Sequence, residues 1–444
     1  MKRLAMGTMV VAMVLGMALG AALAGTKEVV VVTSFPKELF ETYKKAFEAK
    51  HPGVTMVINS KPTPAGVTFL QETKARPVAD IYWVSAPDAF LTLKNDGILE
   101  TYAPPKEIAA RIPAKIGNFP ISDPDGTFFG FAVSGYGLMW NKPYMQMHKL
   151  PEPKEWTDLA NPQYHGHLII SAPSRSGTTH LTVEVILQAY GWEKGWELLL
   201  TSGGNMGSIT ERSFGVPEAV NSGQYGIGVV IDFFGLSAIA SGFPVDFVYP
   251  SMTSVVPASV GIVKGGPNPE NARAFVNYLL SDEGQTILFS KDIGRLPVVP
   301  DLYAKAPAGY PNPFKMKLGG VEFDNKLSSG RRNVVNSLYD QVITFRHAEL
   351  KAAWGAIYRA ETAIAKAGSR DVSQAKALVA EARQLAGSVP VDGKQASDRE
   401  INAAFRDKAK ADLKSKLETE WDTFAKTNYA KAKASADRAA ASLR

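Results

Sequence analysis

A run of hydroxyl and guanidinium side chains lies between a predicted strand and a predicted helix near the middle of the 444-residue chain. Residues 174–179 have the sequence Ser-Arg-Ser-Gly-Thr-Thr. Free backbone N–H groups at a helix start, side-chain hydroxyls, a glycine that lets a ligand approach and a guanidinium together suit an oxyanion such as phosphate, sulfonate or carboxylate. An ordinary helix N-cap explains the same residues, so this segment alone leaves both interpretations open.

Polar residues also follow four other predicted strands, each at the carboxyl end of the strand. They are Thr33-Ser34, Ser85, the Thr-Glu-Arg-Ser of residues 210–213 and the Asp-Phe-Phe of residues 232–234. Because the carboxyl ends of neighbouring parallel strands meet at one edge of a sheet, we expect these loops to converge on one cleft. The predicted ligand-binding residues are Thr33, Ser34, Ser85, Arg175, Ser176, Gly177, Thr178, Thr179, Arg212, Ser213, Asp232 and Phe233.

Each polar group in this set has a predicted role. Residues 176–179 would hold the oxyanion with hydroxyl and backbone donors, and Arg175 or Arg212 would neutralise it, because a buried anion without a partner is costly. Asp232 cannot face the anion and would accept hydrogen bonds from ligand hydroxyls or an amine. The hydroxyls of Thr33, Ser34 and Ser85 would close on the ligand from a first lobe, and Phe233 would form an apolar wall.

Other kinds of chemistry find little support in the sequence. The chain lacks the HExxH and GxSxG motifs, a Walker loop and a GxGxxG that follows a strand. No base lies in a recognisable motif near Ser176 or Ser85 to activate either hydroxyl, so we do not predict an enzyme. His165 and His167 would share one face of an extended segment, which permits a metal site as an alternative to surface histidines. We predict neither a metal nor a cofactor.

Composition places the chain among ordinary globular proteins. Hydrophobic residues make up 45% and charged residues 21%, and there is no cysteine. The chain therefore cannot hold a thiolate metal site, a cysteine nucleophile or a disulfide. Its 49 basic residues are offset by 43 acidic ones along the whole chain, which predicts a solvated surface and no nucleic-acid partner.

The first 24 residues have the pattern of a secretory signal peptide. Lys2 and Arg3 precede an apolar run over residues 4–23, and the run ends in Ala22-Leu23-Ala24, a small-x-small cleavage site. We therefore predict export to the periplasm with cleavage near Ala24. An uncleaved membrane anchor is the alternative, since the run is nearly long enough to span a bilayer.

The remaining chain is predicted to be α/β, with two lobes and a helical C-terminal extension. Buried strands, polar loops and helices alternate, which is typical of a mostly parallel sheet, and residues 128–140 form a long predicted strand that leaves the first sheet. We assign residues 25–133 and about 250–320 to lobe 1, and residues 134–249 to lobe 2. Residues 321–444 are assigned to the extension, where residues 397–400 have the spacing of a capping box.

Three further motifs carry a family resemblance. They are Ala-Asp-Ile-Tyr-Trp-Val-Ser at residues 79–85, Gly-Tyr-Gly-Leu-Met-Trp-Asn-Lys at 135–142 and the run Asn-Ala-Arg-Ala-Phe that opens residues 271–285. With them, the chain from about Glu28 to Tyr303 resembles the periplasmic solute-binding proteins of ABC importers, in the ferric-iron-binding-like branch of the type II fold. This resemblance implies two lobes that close on a small solute and present it to a permease in the inner membrane.

One departure from that branch bears on the ligand. Iron-binding members carry a Tyr-Tyr pair directly after the strand at residues 226–231, whereas this chain has Phe233 and Phe234. A benzyl ring cannot ligate a metal, so ferric iron is disfavoured although it remains an alternative. Residues 174–180 and 336–346 are instead similar to the phosphoglycerate and sugar-phosphate subgroup, which includes a helical C-terminal extension.

By this resemblance, the protein captures a phosphorylated or otherwise anionic small organic solute and delivers it to an ABC permease. It would act as a monomer, and closure of the two lobes would signal that the ligand is bound. A different class of function also stays open. The closed form could dock on a membrane receptor kinase as a ligand-sensing partner, because the C-terminal helices are long for a plain binding protein.

Overall fold

The computed structural model describes residues 28–117, 119–316 and 320–443. The predicted signal peptide and its cleavage site lie outside these residues. The strands are β1 (Glu28–Thr33), β2 (Thr55–Ser60), β3 (Ile81–Val84), β4 (Lys115–Ile116), β5 (Phe119–Pro120), β6 (Phe129–Asn141), β7 (Leu168–Ser171), β8 (Met206–Thr210), β9 (Ile227–Ile231), β10 (Val245–Val248), β11 (Val255–Ile262) and β12 (Leu296–Pro297).

Helices cover the strands and make up the last part of the chain. They are α1 (Lys37–Lys50), α2 (Thr63–Glu72), α3 (Pro87–Asn95), α4 (Lys106–Ala109), α5 (Lys142–His148), α6 (Gly177–Tyr190), α7 (Trp192–Asn205), α8 (Gly215–Asn221), α9 (Asp232–Ala240), α10 (Pro269–Leu280), α11 (Asp282–Ile287), α12 (Asn325–Tyr339), α13 (His347–Ala365), α14 (Ser373–Ala386), α15 (Gly393–Ala396), α16 (Arg399–Ala404) and α17 (Ala411–Ala441). Across the described residues, every helix is too short or too polar to span a bilayer.

Strand β6 joins two half-sheets. The strand order is β2-β1-β3-β11-β6-β9-β7-β8, and β10 and β12 also pair with β6. The first part of β6, up to Gly135, pairs with β11, and the second part, from Tyr136, pairs with β9. We call the half-sheet of β2, β1, β3 and β11 with its helices the first lobe, and that of β9, β7 and β8 with its helices the second lobe. The long strand predicted at residues 128–140 is confirmed within one residue.

Hydrophobic periodicity explains how the helices dock on the sheet. In α1, Leu39, Tyr43 and Phe47 recur every four residues and are all buried, as expected of the apolar stripe of an amphipathic helix. The Tyr43 ring lies 5.3 Å from the ring of Trp83 on β3, in an edge-to-face arrangement.

The carboxyl ends of five strands face the gap between the lobes. They are those of β1 and β3 in the first lobe and of β7, β8 and β9 in the second.

Several predicted elements differ from the structure. The helix predicted at residues 68–75 is α2, which begins at Thr63 directly after Pro62. The sequence analysis places a strand before the loop at residues 210–213 but gives that strand, β8, no bounds, because its sequence Met-Gly-Ser-Ile-Thr is short and weakly apolar. The capping box predicted at residues 397–400 is wrong, since the side chain of Asp398, not Ser397, accepts the backbone N–H groups of Glu400 and Ile401.

The C-terminal helices form a layer against the second lobe. Trp354 of α13 lies so close to Gly204 of α7 that any Cβ at that glycine would overlap its ring. Helices α14 and α17 pack on α13. Helix α17 has charged residues on its outer side and buries Trp421, Ala425 and Tyr429 toward its neighbours. Helix α12, in contrast, contacts both α3 of the first lobe and α6 of the second.

Candidate functional site

A small cavity lies between the two lobes at the carboxyl ends of the strands. Its free volume is about 20 Å³, which is room for about one water molecule. Many of the predicted ligand-binding residues line it, and so do residues that the sequence analysis did not single out. The lining residues are Ser34, Phe35, Pro36, Pro62, Thr63, Ser85, Arg175, Ser176, Gly177, Thr178, Arg212, Ser213, Phe214, Phe233, Phe234 and Arg295.

Three predicted site residues, Thr33, Thr179 and Asp232, are not part of this lining. Thr33 is fully buried; its Oγ1 donates to the Trp83 carbonyl at 2.7 Å and accepts the Phe35 N–H at 3.1 Å. Thr33 therefore fixes the turn that carries Ser34 into the cavity. The Ser34 hydroxyl itself accepts a hydrogen bond from Thr63 Oγ1 at 2.9 Å.

The predicted anion loop forms the N-terminus of α6. Ser176 is the N-cap, and its Oγ accepts the backbone N–H of Thr179 at 3.1 Å. Thr179 is buried beneath the loop, where its hydroxyl is hydrogen-bonded to Ser171 Oγ at the end of β7. The N-cap interpretation and the ligand interpretation are therefore compatible, because Ser176 caps the helix while the loop faces the cavity.

Gly177 is where the second lobe touches the first. A Cβ at this position would lie 2.8 Å from Thr63 Oγ1 and 2.9 Å from the Cβ of Ala86. Both distances are shorter than an ordinary van der Waals contact, so a side chain here would push the lobes apart. The glycine thus permits a close approach of the loop to the first lobe.

Asp232 lies behind the cavity wall. Its carboxylate accepts hydrogen bonds from the backbone N–H groups of Gly135 at 2.7 Å and Phe233 at 2.8 Å, and from the Tyr249 hydroxyl at 3.0 Å. Complete burial raises the pKa of Asp232 to about 6, although these hydrogen bonds act in the opposite direction. The structure does not bring this carboxylate to the cavity, where it was expected to accept ligand hydroxyls.

The two arginines that were expected to neutralise an anion lie at the rim. Arg175 forms an ion pair with Glu211, and their side chains are 38% and 80% exposed. Arg212 extends from the second lobe to the first, where its Nη2 donates to the Ser34 carbonyl at 3.4 Å. Burial lowers the pKa of Arg212.

The fully buried cation of the cavity is Arg295, which the sequence analysis missed. Its Nη2 donates to Ser85 Oγ at 2.8 Å, and its Nε and Nη1 have no hydrogen-bond partner among the described residues. The Phe233 ring centroid lies 3.9 Å from the guanidinium carbon, and that of Phe35 lies 4.5 Å away. Burial lowers the pKa of Arg295 to about 10, opposed by the charge of Asp232, so the group is still a cation at neutral pH.

A sequence signal for Arg295 exists, although it is faint. The arginine is a lone charge in the segment Ile-Gly-Arg-Leu-Pro-Val-Val at residues 293–299, whose other residues are apolar. An arginine in such a segment is either exposed at the surface or buried beside a group that it binds, since charged groups are rarely buried without a partner. The segment has no motif that distinguishes these two cases.

The histidine pair considered for a metal site makes other contacts. The imidazole of His167 shares a 2.8 Å hydrogen bond with the Tyr144 hydroxyl, and the ring of His165 lies edge-on to that of Tyr358. Within residues 28–117, 119–316 and 320–443, no three His, Asp or Glu side chains are grouped closely enough to hold a metal ion.

Comparison with known proteins places this geometry in a family. The family model for the bacterial extracellular solute-binding protein matches residues 76–323, more than half of the chain. Over 396 residues the chain is 32% identical to the phosphoglycerate transport regulatory protein PgtC of Salmonella typhimurium, a match that covers 89% of this chain and 94% of PgtC.

Solved structures with the same fold include proteins with different ligands. AfuA from Actinobacillus pleuropneumoniae, with exogenous fructose-6-phosphate bound, matches with a TM-score of 0.65 at 21% identity over 71% of this chain and 98% of AfuA. Iron-bound HitA from Pseudomonas aeruginosa matches with a TM-score of 0.58 at 18% identity over 70% of this chain and 98% of HitA. At these identities the matches confirm the predicted two-lobed type II periplasmic binding fold and do not name a ligand.

Family and fold agree on the general function. The family consists of solute-binding proteins and not of enzymes, in line with the sequence prediction. Its members bind small solutes outside the cytoplasm and work with ABC permeases. The chain belongs to the bacterial extracellular solute-binding proteins of ABC transport.

Proposed function

We propose that this protein captures a small anionic organic solute, carrying a phosphate group, between its lobes and delivers it to an ABC permease in the inner membrane. The observation that carries the proposal is the buried guanidinium of Arg295. Among the residues that the structure describes, its Nε and Nη1 have no hydrogen-bond partner, and its Nη2 donates to a serine hydroxyl and not to a carboxylate. A buried charge without a partner is costly. An anion in the cavity would supply the missing partner.

The groups around Arg295 suit a phosphate rather than a metal. The hydroxyls of Ser85 and Ser176 and the start of α6 are hydrogen-bond donors to oxyanions. Phe233 packs its ring against the guanidinium where iron-binding relatives would have a tyrosine. A cation stacked on a benzyl ring repels a metal ion and attracts an oxyanion, so the ferric-iron alternative is less favoured than an anion.

Lobe movement is part of the proposed cycle. A cavity of about 20 Å³ is far smaller than the several hundred Å³ of a typical small-molecule pocket. A solute would therefore enter when the lobes separate. As the lobes close again, the side chains that line the cavity would rearrange around the solute, with its phosphate near Arg295. The closed, loaded form would be the one that the permease recognises.

The relatives support the phosphorylated class. PgtC is named for phosphoglycerate transport, and the AfuA structure has exogenous fructose-6-phosphate bound. One is a phosphorylated carboxylate and the other a phosphorylated sugar, and the phosphate is the group that they share. We therefore propose the phosphate, and not the remainder of the solute, as the feature that the buried cavity recognises.

A regulatory role is a second candidate. PgtC, the relative at 32% identity, is named a transport regulatory protein, so the loaded form would dock on a membrane receptor kinase in place of a permease. Loss of a transcriptional response with retained solute uptake, after removal of the C-terminal helices, would favour this role. Loss of uptake with the response intact would favour transport.

A thermal-shift measurement on the chain from residue 25 onward tests the proposal. The probes are inorganic phosphate, 3-phosphoglycerate and fructose 6-phosphate, with glycerate, fructose and ferric citrate as controls. A ligand at 100 times its Kd adds about 2.7 kcal/mol of stability, which is readily measured. We expect stabilisation by at least one phosphorylated compound and none by its dephosphorylated form.

The Arg295→Met variant locates the effect. It removes the cation but keeps an unbranched apolar side chain, and we expect binding to weaken by 100-fold or more, about 2.7 kcal/mol. Arg273→Met is the matched control, because Arg273 is a partly exposed arginine outside the cavity that is paired with Glu100 and Glu270. Stabilisation by ferric citrate or fructose alone, or unchanged phosphate binding in Arg295→Met, would refute the proposal.

A further inference from the structure

A second group of buried polar side chains lies outside the cavity and joins three parts of the molecule. Asp88 of α3 is fully buried. Its Oδ2 lies 3.0 Å from His180 Nε2 of α6 and 3.3 Å from Ser328 Oγ of α12, and it is paired with Arg332 of α12. Asn336 Oδ1, also on α12, lies 2.8 Å from His180 Nδ1. We call Asp88, His180, Ser328, Arg332 and Asn336 the Asp88 cluster.

The Asp88 cluster lies directly behind the cavity loops. Asp88 is in the first turn of α3, which follows the loop with Ser85, and His180 is in the first turn of α6, which begins at Gly177 directly after Ser176. Ser85 belongs to the first lobe and the 176–178 loop to the second. A displacement of either loop therefore moves one member of the cluster relative to the others.

Helix α12 completes the cluster from outside both lobes. Arg332 pairs with Asp88 of the first lobe, and Asn336 bonds to His180 of the second. Although burial alone would raise the pKa of Asp88, Arg332 and His180 hold it well below its usual value. The contact of Asp88 with His180 requires the lobes to be together, because these two residues belong to different lobes. The contacts of Asp88 with Arg332 and Ser328 require it as well while α12 stays bound to the second lobe through Arg331 and Asn336.

The neighbouring arginine makes a comparison possible within the same helix. Arg331 forms a two-pronged ion pair with Glu184, through Nε to Oε1 at 2.9 Å and Nη2 to Oε2 at 2.8 Å. Glu184 lies on α6 of the second lobe, so this pair joins α12 to one lobe only. Arg332 bridges toward the first lobe, and Arg331 does not.

We propose that Arg332, with Ser328 and Asn336, is a positioning residue of the ligand cavity. Through Asp88 and His180, helix α12 holds the Ser85 loop and the 176–178 loop at their closed separation, so solute affinity depends on the C-terminal extension. This inference rests on the proposed function, because it concerns the same cavity. It assigns the extension a part in binding although no described residue of the extension lines the cavity.

The effect of losing Arg332 should fall on the closed state. Without the guanidinium, Asp88 is buried in the closed form with fewer partners, which is unfavourable. When the lobes separate, water reaches Asp88 and that cost disappears. The population of the closed form therefore falls, and the apparent affinity falls with it. Loss of Arg331 leaves Glu184 without its ion-pair partner in both the open and the closed form. It should therefore not shift the equilibrium between these two forms.

A distance measurement tests the proposal without any ligand. Because the chain has no cysteine, spin labels can be attached at Lys45→Cys in the first lobe and Ser222→Cys in the second, both exposed positions. Pulsed electron paramagnetic resonance then gives the distribution of distances between the two labels, which reports the separation of the lobes. We expect Arg332→Met to shift the distances to longer values, and Arg331→Met to give the distribution of the unsubstituted protein.

Binding provides the second readout, with 3-phosphoglycerate and fructose 6-phosphate as probes in calorimetry. We expect Arg332→Met to weaken binding about tenfold or more and Arg331→Met to change it by less than twofold. If Arg332→Met does not fold, the double variant Asp88→Asn with Arg332→Met replaces it, since it leaves no buried carboxylate unpaired. The bridge between α12 and the first lobe is still lost in this variant, so shifts in the same direction but of smaller size are expected.

The outcomes separate this inference from the proposed function. If no probe binds the unsubstituted protein, the proposed ligand class fails, while longer distances confined to the Arg332 variants still support a link between α12 and lobe closure. The inference would be overturned if the distance distributions of Arg332→Met and Arg331→Met were the same. It would also be overturned if the two variants lost the same amount of affinity.

Discussion

The cavity and the interface of α12 with the lobes both bury arginine side chains, but the two regions treat the charge differently. At the interface, Arg331 and Arg332 each pair with a buried carboxylate, Glu184 and Asp88. In the cavity, Arg295 is fully buried, bonds to one serine hydroxyl and stacks on phenylalanine rings. A guanidinium that already has its carboxylate serves the folded scaffold, whereas one that lacks it is available to an anion from outside.

The largest expected effect tests the scaffold side of this comparison. Arg331→Met leaves Glu184 buried without its ion pair, which should lower the free energy of unfolding by about 3–5 kcal/mol. Arg295→Met removes a cation that has no carboxylate partner, so it should change this free energy much less or raise it. Urea denaturation of the two variants measures the difference. Equal destabilisation would mean that Arg295 is as much a structural charge as Arg331.

The next largest effect is the pH dependence of stability caused by Asp232. The negative charge of Asp232 acts on Arg295, although the two side chains are not hydrogen-bonded. The pKa of Asp232 is raised to about 6 in the folded protein, so the folded state binds its proton more tightly than the unfolded state does. The contribution of Asp232 to the free energy of unfolding is therefore fully present below about pH 4, where the side chain is protonated in both states. It is lost as the pH rises through 6. The loss amounts to about 3 kcal/mol.

Asp232→Asn should remove this loss. The variant should be less stable below about pH 4, since the amide cannot accept all three hydrogen bonds that the carboxyl group accepts. It lacks the decline between pH 4 and pH 6, so its stability should rise relative to that of the unsubstituted protein over this range. Other carboxyls such as Asp88, with its lowered pKa, change stability in the opposite direction in both proteins. The measured quantity is therefore the difference between the two proteins in denaturation at each pH. A difference independent of pH would contradict the assignment.

The smallest expected effect concerns the contact between the lobes at the cavity. Gly177→Ala places a methyl group within 3 Å of Thr63 and Ala86, so closure over a ligand should weaken and affinity should fall about tenfold, or about 1.4 kcal/mol. Gly330→Ala is the control, because a Cβ there meets no atom within 4 Å. It should leave affinity unchanged and add about 0.5–1 kcal/mol to helix stability. Unchanged affinity in Gly177→Ala would indicate that the lobes do not need this close contact.

The sequence predicts the architecture well because its signals are local. The four valines of β1 and the four-residue spacing of Leu39, Tyr43 and Phe47 in α1 identify a strand and a helix directly. Once parallel strands are predicted, their carboxyl ends must share an edge, which explains why Ser34, Ser85 and Ser176 meet at one cavity. The bounds of β8 are not predicted because its stability comes from pairing with β7 and not from its own apolar pattern.

The site is less predictable because side-chain direction and long-range contacts decide it. Thr33 and Asp232 lie at strand ends as expected, but their side chains turn toward the backbone behind the cavity. Arg295 reaches Ser85 across 210 residues of sequence, and no local pattern records that contact. Arg175 and Arg212, the arginines predicted from the sequence to neutralise the anion, lie at the rim of the cavity. There Arg175 pairs with Glu211 and Arg212 donates to the Ser34 carbonyl.

Strand β6 has a consequence for how the protein unfolds. Its first part is hydrogen-bonded to β11 and its second part to β9, so neither half-sheet is complete without the same continuous segment. Loss of one lobe would withdraw a central strand from the other. The two lobes should therefore denature in a single cooperative transition, and a fragment that stops at Gly135 should not form a stable domain on its own.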